Sequence, residues 1–311
     1  MRYLVLGVGA VGGYYGARMA AAGADVTFLV RPKRRDLLKK NGLQVVSPLG
    51  DLKIEPNLIT AGEKAAPFDI VILTCKAYDL EAAAADIAPY VGPDTLIVPL
   101  LNGISHLDYL QVKFGEEKIL GGAVHIGGTL RDDGAIIHMN RLNDIRFGRL
   151  DGGQSPACDA LKAAFSGTTV NAIHTPAVVQ AMWDKYVFLA SIAAATCLMR
   201  ASVGVILKTP EGRALIEGLL AETTAIAASE GRKPGMEAVA SCRGMLFDED
   251  SKSTASMMRD VERRAPTESE HIIGHLIGLA KENEVRTPYL ALAHSHLVAY
   301  EIRRAQDWAG A

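Results

Sequence analysis

Gly7-Val8-Gly9-Ala10-Val11-Gly12 has the spacing G-x-G-x-x-G, a pattern whose chemistry is carried by the backbone. It follows the apolar run from Arg2 to Leu6 and opens the small-residue segment from Val11 to Ala22. Strand, glycine turn and helix thus succeed one another as in a dinucleotide-binding βαβ unit. Gly7 permits the tight turn, Gly9 lets a pyrophosphate approach the main chain, and Gly12 lets helix and strand pack closely. The helix N-terminus offers N–H groups and partial positive charge to the phosphates. Residues 7–12 are therefore the first candidates for cofactor contact.

The second strand ends at Val30-Arg31, followed by Lys33, Arg34 and Arg35. Sites for the unphosphorylated cofactor usually carry Asp or Glu there, to hold the ribose 2′-hydroxyl. Arg31 and the basic residues after it would instead meet a 2′-phosphate with charge-assisted bonds, so NADPH is the expected cofactor. The other reading of this run is a solvated basic loop. Lys76 and Asn102-Gly103 close two further apolar runs, at strand ends where open α/β sheets bind ligands; Asn-Gly is also a common turn dipeptide. His271 and His275 stand four apart on a helical segment, three residues after Glu268, a spacing that could hold a metal. No second ligand set accompanies them, and no metal is expected.

The elements that must position these groups change character along the chain. Up to Leu101, short apolar runs alternate with helical patterns: 24–30, 69–75 and 95–101 read as strands, 79–90 as a helix, and 43–47 with 52–54 as a hairpin about Pro48-Leu49-Gly50. Strands at 121–130, 135–139, 144–148 and 168–174 follow, with 152–156 as the most loop-like segment. After Pro176 the pattern is helical: 178–207 as one long helix or two joined ones, then 209–231, 237–247, 251–264, 267–283 and 288–306. The expected architecture is an N-terminal Rossmann domain over 1–175, doubly wound and mostly parallel, and an all-α domain over 176–311.

Composition narrows the class. Of the 311 residues 49% are hydrophobic and 22% charged, and the net charge is −2. That describes an ordinary globular chain with no electrostatic case for nucleic acid or an anionic membrane. The apolar stretch 186–199 is shorter than the ~20 residues of a membrane span and reads as a core helix. Four scattered cysteines form no Cys-x-x-Cys pair, which argues against a zinc knuckle; Cys75 and Cys197 sit in apolar runs as buried thiols and the first residues lack a signal-peptide pattern, so the cytoplasm is the expected location. The long apolar helices of the second half could bury against a second copy, which makes a homodimer the assembly to test.

The glycine motif, Arg31, Leu73-Thr-Cys-Lys76, Leu101-Asn102-Gly103, Trp183-Asp-Lys185 and Pro266-Thr-Glu268 stand in the order and spacing of the ketopantoate reductase (2-dehydropantoate 2-reductase) family, which this chain resembles over nearly its whole length. The resemblance implies reduction of a 2-keto acid to a 2-hydroxy acid with NADPH, a step of pantothenate synthesis, in a site between the two domains. It implies Lys185 as general acid, with Asn102, Ser256 and Glu268 as substrate contacts. A lysine suits the role, because its ammonium stabilises a developing alkoxide and its pKa falls on desolvation. Lys185 also opens a helix that is otherwise strongly apolar. The capping-box spacing of Thr267 and Glu270 assigns Glu270 to the helix start and leaves Glu268 for the substrate. One departure stands out: four and eight residues after its lysine the family usually carries asparagines, and this chain has Leu189 and Ala193. That change favours a more apolar 2-keto acid than ketopantoate. The rival reading is a sensor or relic that binds NADPH without turnover, and a third is a reductase for an unrelated metabolite.

Overall fold

A computed structural model describes residues 1–307; the last four residues of the expected 176–311 domain lie outside it. The chain divides into two compact units, the first comprising Met1–Leu101 and His106–Ala181, the second Asn102–Ser105 and Met182 onward. The division falls inside a helix, whereas the sequence reading puts the boundary at Thr175.

In the first unit the elements follow the chain as β1 (Arg2–Leu6), α1 (Ala10–Ala21), β2 (Asp25–Leu29), α2 (Pro32–Asn41), β3 (Leu43–Val46), β4 (Leu52–Ile54), β5 (Asn57–Ile59), β6 (Phe68–Leu73), α3 (Leu80–Ile87), β7 (Val91–Pro99), α4 (His106–Phe114), β8 (Leu120–His125), β9 (Gly128–Leu130), β10 (Ile136–His138), β11 (Asp144–Arg149), α5 (Pro156–Ala163) and β12 (Asn171–His174). The main sheet has the order β5-β2-β1-β6-β7 and is parallel throughout. Its central strands β1 and β6 are buried on both faces, as a parallel sheet covered by crossover helices requires. Tyr3 and Val5 of β1 join one core with Ile70 and Ile72 of β6. Leu4 and Leu6 join the other with Val71 and Leu73. Two smaller mixed sheets, β4-β3-β10-β9 and β12-β11-β8, accompany it.

Several elements depart from expectation for identifiable reasons. The 121–130 run is two strands, β8 and β9. Helix α2 buries only Leu38 and so lacks an apolar period to read. The expected loop runs to Ser155 and ends in helix α5, which the sequence reading does not place, although Ser155 caps it by accepting from Cys158 N at 3.3 Å and Pro156 occupies its first turn; that pair is a legible start signal.

The second unit is helical: α6 (Val178–Met199, whose first residues belong to the first unit), α7 (Val203–Leu207), α8 (Gly212–Ser229), α9 (Met236–Leu246), α10 (Ser256–Glu262), a π-helical turn at Glu270–Gly274, α11 (His275–Glu282) and α12 (Pro288–Asp307). The two joined helices of the 178–207 segment separate at Arg200, which takes φ 51°. Helix α6 is apolar on nearly every side, and its buried hydroxyls turn inward: Ser191 donates to Val187 O at 2.8 Å and Thr196 to Ile192 O at 2.6 Å. Among the described residues no helix is long and apolar enough to cross a membrane. Helix α10 begins at Ser256 rather than at 251, because residues 251–255 serve another helix. The carbonyls of Ser253 and Ser251 accept from Val203 N (3.1 Å) and Gly204 N (3.0 Å), the unsatisfied donors that open α7.

Helix α12 starts on a buried carboxylate. Both oxygens of Glu222 accept backbone N–H groups of its first turn, from Tyr289 at 2.9 Å and Leu290 at 2.8 Å. Removing that acceptor orphans two donors, one of them buried. Glu222→Ala is expected to cost about 2–3 kcal/mol, and Glu222→Gln less. Denaturant midpoints at unchanged slope will report both values.

Candidate active site

The register of the main sheet brings the first group of candidate residues to one edge. Leu6 of β1 pairs with Leu29 of β2 and Leu73 of β6, so the three strands end level. Gly7 follows the first, Val30-Arg31 the second, and Thr74 to Lys76 the third. The chain also reverses its direction across the sheet here, since β1 has β2 on one side and β6 on the other, which is where open α/β sheets bind ligands.

The glycines differ in what surrounds them. Gly7 takes φ 95°, and a Cβ there would lie 2.7 Å from Thr74 O. A Cβ on Gly12 would collide with Gly7 O and the Thr74 hydroxyl. That hydroxyl donates to Leu6 O at 2.7 Å and Gly7 O at 2.9 Å, locking the turn to β6. Gly9 is the opposite case: nothing lies within 4 Å of a Cβ built on it. It precedes α1, whose N-terminus receives no side-chain cap. A turn closed on two sides and open at Gly9, beside uncapped N–H groups, fits a pyrophosphate. Val8 is buried, while Ala10 and Val11 are half-buried.

Of the basic residues after β2, Arg31 alone among the arginines stays exposed. Its guanidinium meets Asp79 at 3.0 Å in a solvent-exposed pair, an arrangement worth little and readily exchanged. Arg34 donates to Gly134 O at 2.9 Å, and Arg35 is bound to Glu63 and Thr60. These two serve the first unit's own loops and are withdrawn from the expected phosphate cluster, leaving Arg31 and the exposed Lys33. Lys76 starts a 3₁₀ turn at the end of β6.

The second unit gathers the second group. Lys185 Nζ donates to Asn102 Oδ1 at 3.1 Å. Lys185 is half-buried as a whole residue, and its ammonium is desolvated. Burial lowers its pKa from 10.5 to about 8, against the opposing pull of Glu268. Glu268 is 5% exposed. Lys185, Asn102 and Glu268 therefore come together, as the sequence reading expects of them. Ser256 does not join them directly. It opens α10, which is tied to α6 where Ala255 N donates to Thr196 Oγ1 at 3.3 Å, about 16 Å of helix rise beyond Lys185.

Two features escaped the sequence. The capping box is not formed: Glu270 pairs with His294 at 2.8 Å, and the Thr267 N–H and hydroxyl both donate to Glu301, at 2.8 and 2.7 Å. A carboxylate from α12 thus holds the residue before Glu268, a long-range partner that local spacing cannot reveal. His271, considered only beside His275, bonds Asn102 O through Nε2 and Ser105 through Nδ1, each at 2.8 Å. On α6, residues 188, 189, 192 and 193 follow Lys185 at helical spacing on its own face. All four are apolar; Phe188 and Leu189 are half-buried, Ile192 and Ala193 buried.

Known proteins resemble this arrangement from end to end. The family description ketopantoate reductase PanE/ApbA matches residues 3–152, and that of its C-terminal domain matches residues 177–301. The uncharacterized oxidoreductase YkpB of Bacillus subtilis is 36% identical over 306 residues, covering 98% of this chain and all of that protein. The crystal structure of 2-dehydropantoate 2-reductase from Methylococcus capsulatus superposes with a TM-score of 0.87 at 26% identity, over 99% of each chain. A D-mandelate dehydrogenase, solved with NADH and anilino(oxo)acetate, shares the fold with a TM-score of 0.86 at 21% identity, over 98% of this chain and all of that one. With a glycine turn built for a dinucleotide and family matches across both units, the chain is an oxidoreductase of the ketopantoate reductase family.

Proposed function

We propose that this protein reduces a 2-keto acid to the 2-hydroxy acid with NADPH, and that the acid carries an apolar side chain. The observation that carries the reading is the Lys185 ammonium, desolvated beside Glu268 and held by Asn102, with an apolar helix face running away from it. When bound, the nicotinamide supplies the hydride. The chain's residues do the rest. The glycine turn and the α1 N-terminus hold the pyrophosphate, and Arg31 with Lys76 meets the adenosine phosphate and the cofactor's nicotinamide half. Lys185 donates its proton to the carbonyl oxygen and stabilises the charge that develops there. Asn102 orients that ammonium, Glu268 accepts from the hydroxyl that forms at the 2-position, and Ser256 contacts the substrate. A D-mandelate dehydrogenase, named for an acid with an aromatic side chain, shares this fold.

The test is NADPH oxidation over a panel of 2-keto acids; no turnover with any of them would favour the rival, a cofactor-binding protein without catalysis. Leu189 and Ala193 suit that rival, and the intact Lys185, Asn102 and Glu268 group speaks against it. Cofactor choice has its own test. Losing one charge-assisted contact to a phosphate corresponds to about 10- to 100-fold in affinity. Arg31→Ala is therefore expected to raise KM for NADPH by that order and leave KM for NADH nearly unchanged. A wild-type preference for NADH would refute the assignment.

A further inference from the structure

His271 has no task in the reaction just described, yet it touches the group that has. A carbonyl oxygen only accepts, so the 2.8 Å bond to Asn102 O requires the proton on Nε2. The neutral ring then offers Nδ1 as an acceptor to the Ser105 hydroxyl, also at 2.8 Å. Burial lowers the pKa of His271, and His275 adds to that, while Glu268 and the bond to Asn102 oppose it. The neutral ring satisfies both bonds, and burial favours it over the charged form. Between its two contacts lies Gly103, at φ 78°, where a Cβ would come within 3.2 Å of the ring. One imidazole thus clamps the turn 102–105 at both ends and packs against its middle.

The ring is itself anchored. It sits in the π-helical turn Glu270–Gly274, an irregularity that re-aims side chains and is common at functional sites. The next carbonyl of that turn, Ile272 O, accepts from Tyr186 OH at 2.6 Å. Tyr186 is the neighbour of Lys185 on α6. The bonds therefore form a closed circuit: Lys185 to Asn102, Asn102 to His271, Ile272 to Tyr186, and back along α6.

We propose that His271 is a positioning residue for the Lys185 ammonium, acting through the main chain of Asn102, an inference that rests on reading Lys185 as the proton donor. With the carbonyl of Asn102 held, few side-chain rotamers remain, and the one adopted directs Oδ1 at Lys185. Without the clamp the turn loosens, and the ammonium loses an aligned acceptor that favours its charged form.

The experiment compares wild type with His271→Phe, His271→Gln and Ser105→Ala. It reads pH-dependent acetylation of Lys185 by acetic anhydride, followed by mass spectrometry, together with kcat and KM. In His271→Phe the Lys185 titration and the alkaline limb of kcat are expected to move together to lower pH. At the same time kcat falls about 10- to 100-fold and KM for NADPH holds. His271→Gln keeps a donor for Asn102 O and returns both properties toward wild type. Ser105→Ala, which leaves the ring in place, moves them in the same direction by less, and it carries the test should the Phe variant not fold. An unmoved Lys185 titration in the folded variants would overturn the proposal, whatever happens to kcat, because a purely structural role lowers activity without shifting that titration. The labelling needs no turnover, so it reads the link from His271 to Lys185 even if no keto acid proves to be a substrate.

Discussion

Lys185→Ala is expected to lower kcat for keto-acid reduction by about 10²- to 10⁴-fold, the usual contribution of a positioned general acid. Binding of NADPH should survive, because the glycine turn and Arg31 belong to the other unit of the chain. The pH profile should identify the same group. As an acid Lys185 must carry its proton, and its pKa is lowered to about 8. The kcat for reduction should therefore fall as pH rises through about 8, and in the reverse direction, where the unprotonated amine accepts, it should rise over the same interval. Folding linkage has a definite sign too. The unfolded chain holds this proton up to about 10.5 and the folded chain only to about 8. The burial penalty is thus fully present below about pH 8 and is relieved as pH climbs between the two values. Lys185→Met, apolar and of similar length, should lose this rise of stability between about pH 8 and 10.5 while being as inactive as the alanine variant. Steady-state kinetics with thermal denaturation will test this; an active Lys185→Met enzyme would remove the lysine from the mechanism.

The second large effect concerns the substrate. Measured as kcat/KM, 2-keto acids with aliphatic or aromatic side chains are expected to exceed ketopantoate by roughly 10- to 200-fold, the range over which an apolar pocket discriminates. The reason lies one and two turns along α6 from Lys185, where Leu189 and Ala193 would leave a polar substrate group without a partner. A hydroxyl desolvated against these side chains forfeits its water and gains nothing in return. Leu189→Asn, at a half-buried position, should move the ratio toward ketopantoate. Ala193→Asn, at a position 1% exposed, should do so only with a loss of stability, since the larger amide must enter a packed site. A wild-type optimum at ketopantoate would show that the substrate's polar end is met by other residues.

Much of this was legible in the sequence because it depends on local rules. Gly7, Gly9 and Gly12 announce their turn through steric needs that a one-dimensional pattern carries, and the all-parallel sheet follows from strands apolar on both faces. The ordered motifs around Lys76, Asn102, Lys185 and Glu268 marked the candidate site. The sequence alone thus determined the dinucleotide fold, the family and the candidate residues for the chemistry. Tertiary structure decided which neighbours those residues have. Arg34 and Arg35 look like phosphate ligands in the chain and are spent on Gly134, Glu63 and Thr60. Glu270 fits a capping box by spacing, but Glu301, thirty-four residues after Thr267, takes the cap. His271 and His275 show in the chain only a spacing that could hold a metal, and it is the fold that turns the His271 ring toward Asn102, 169 residues away. Hydrogen bonds between distant segments depend on how the backbone brings them together, and no spacing rule encodes that geometry.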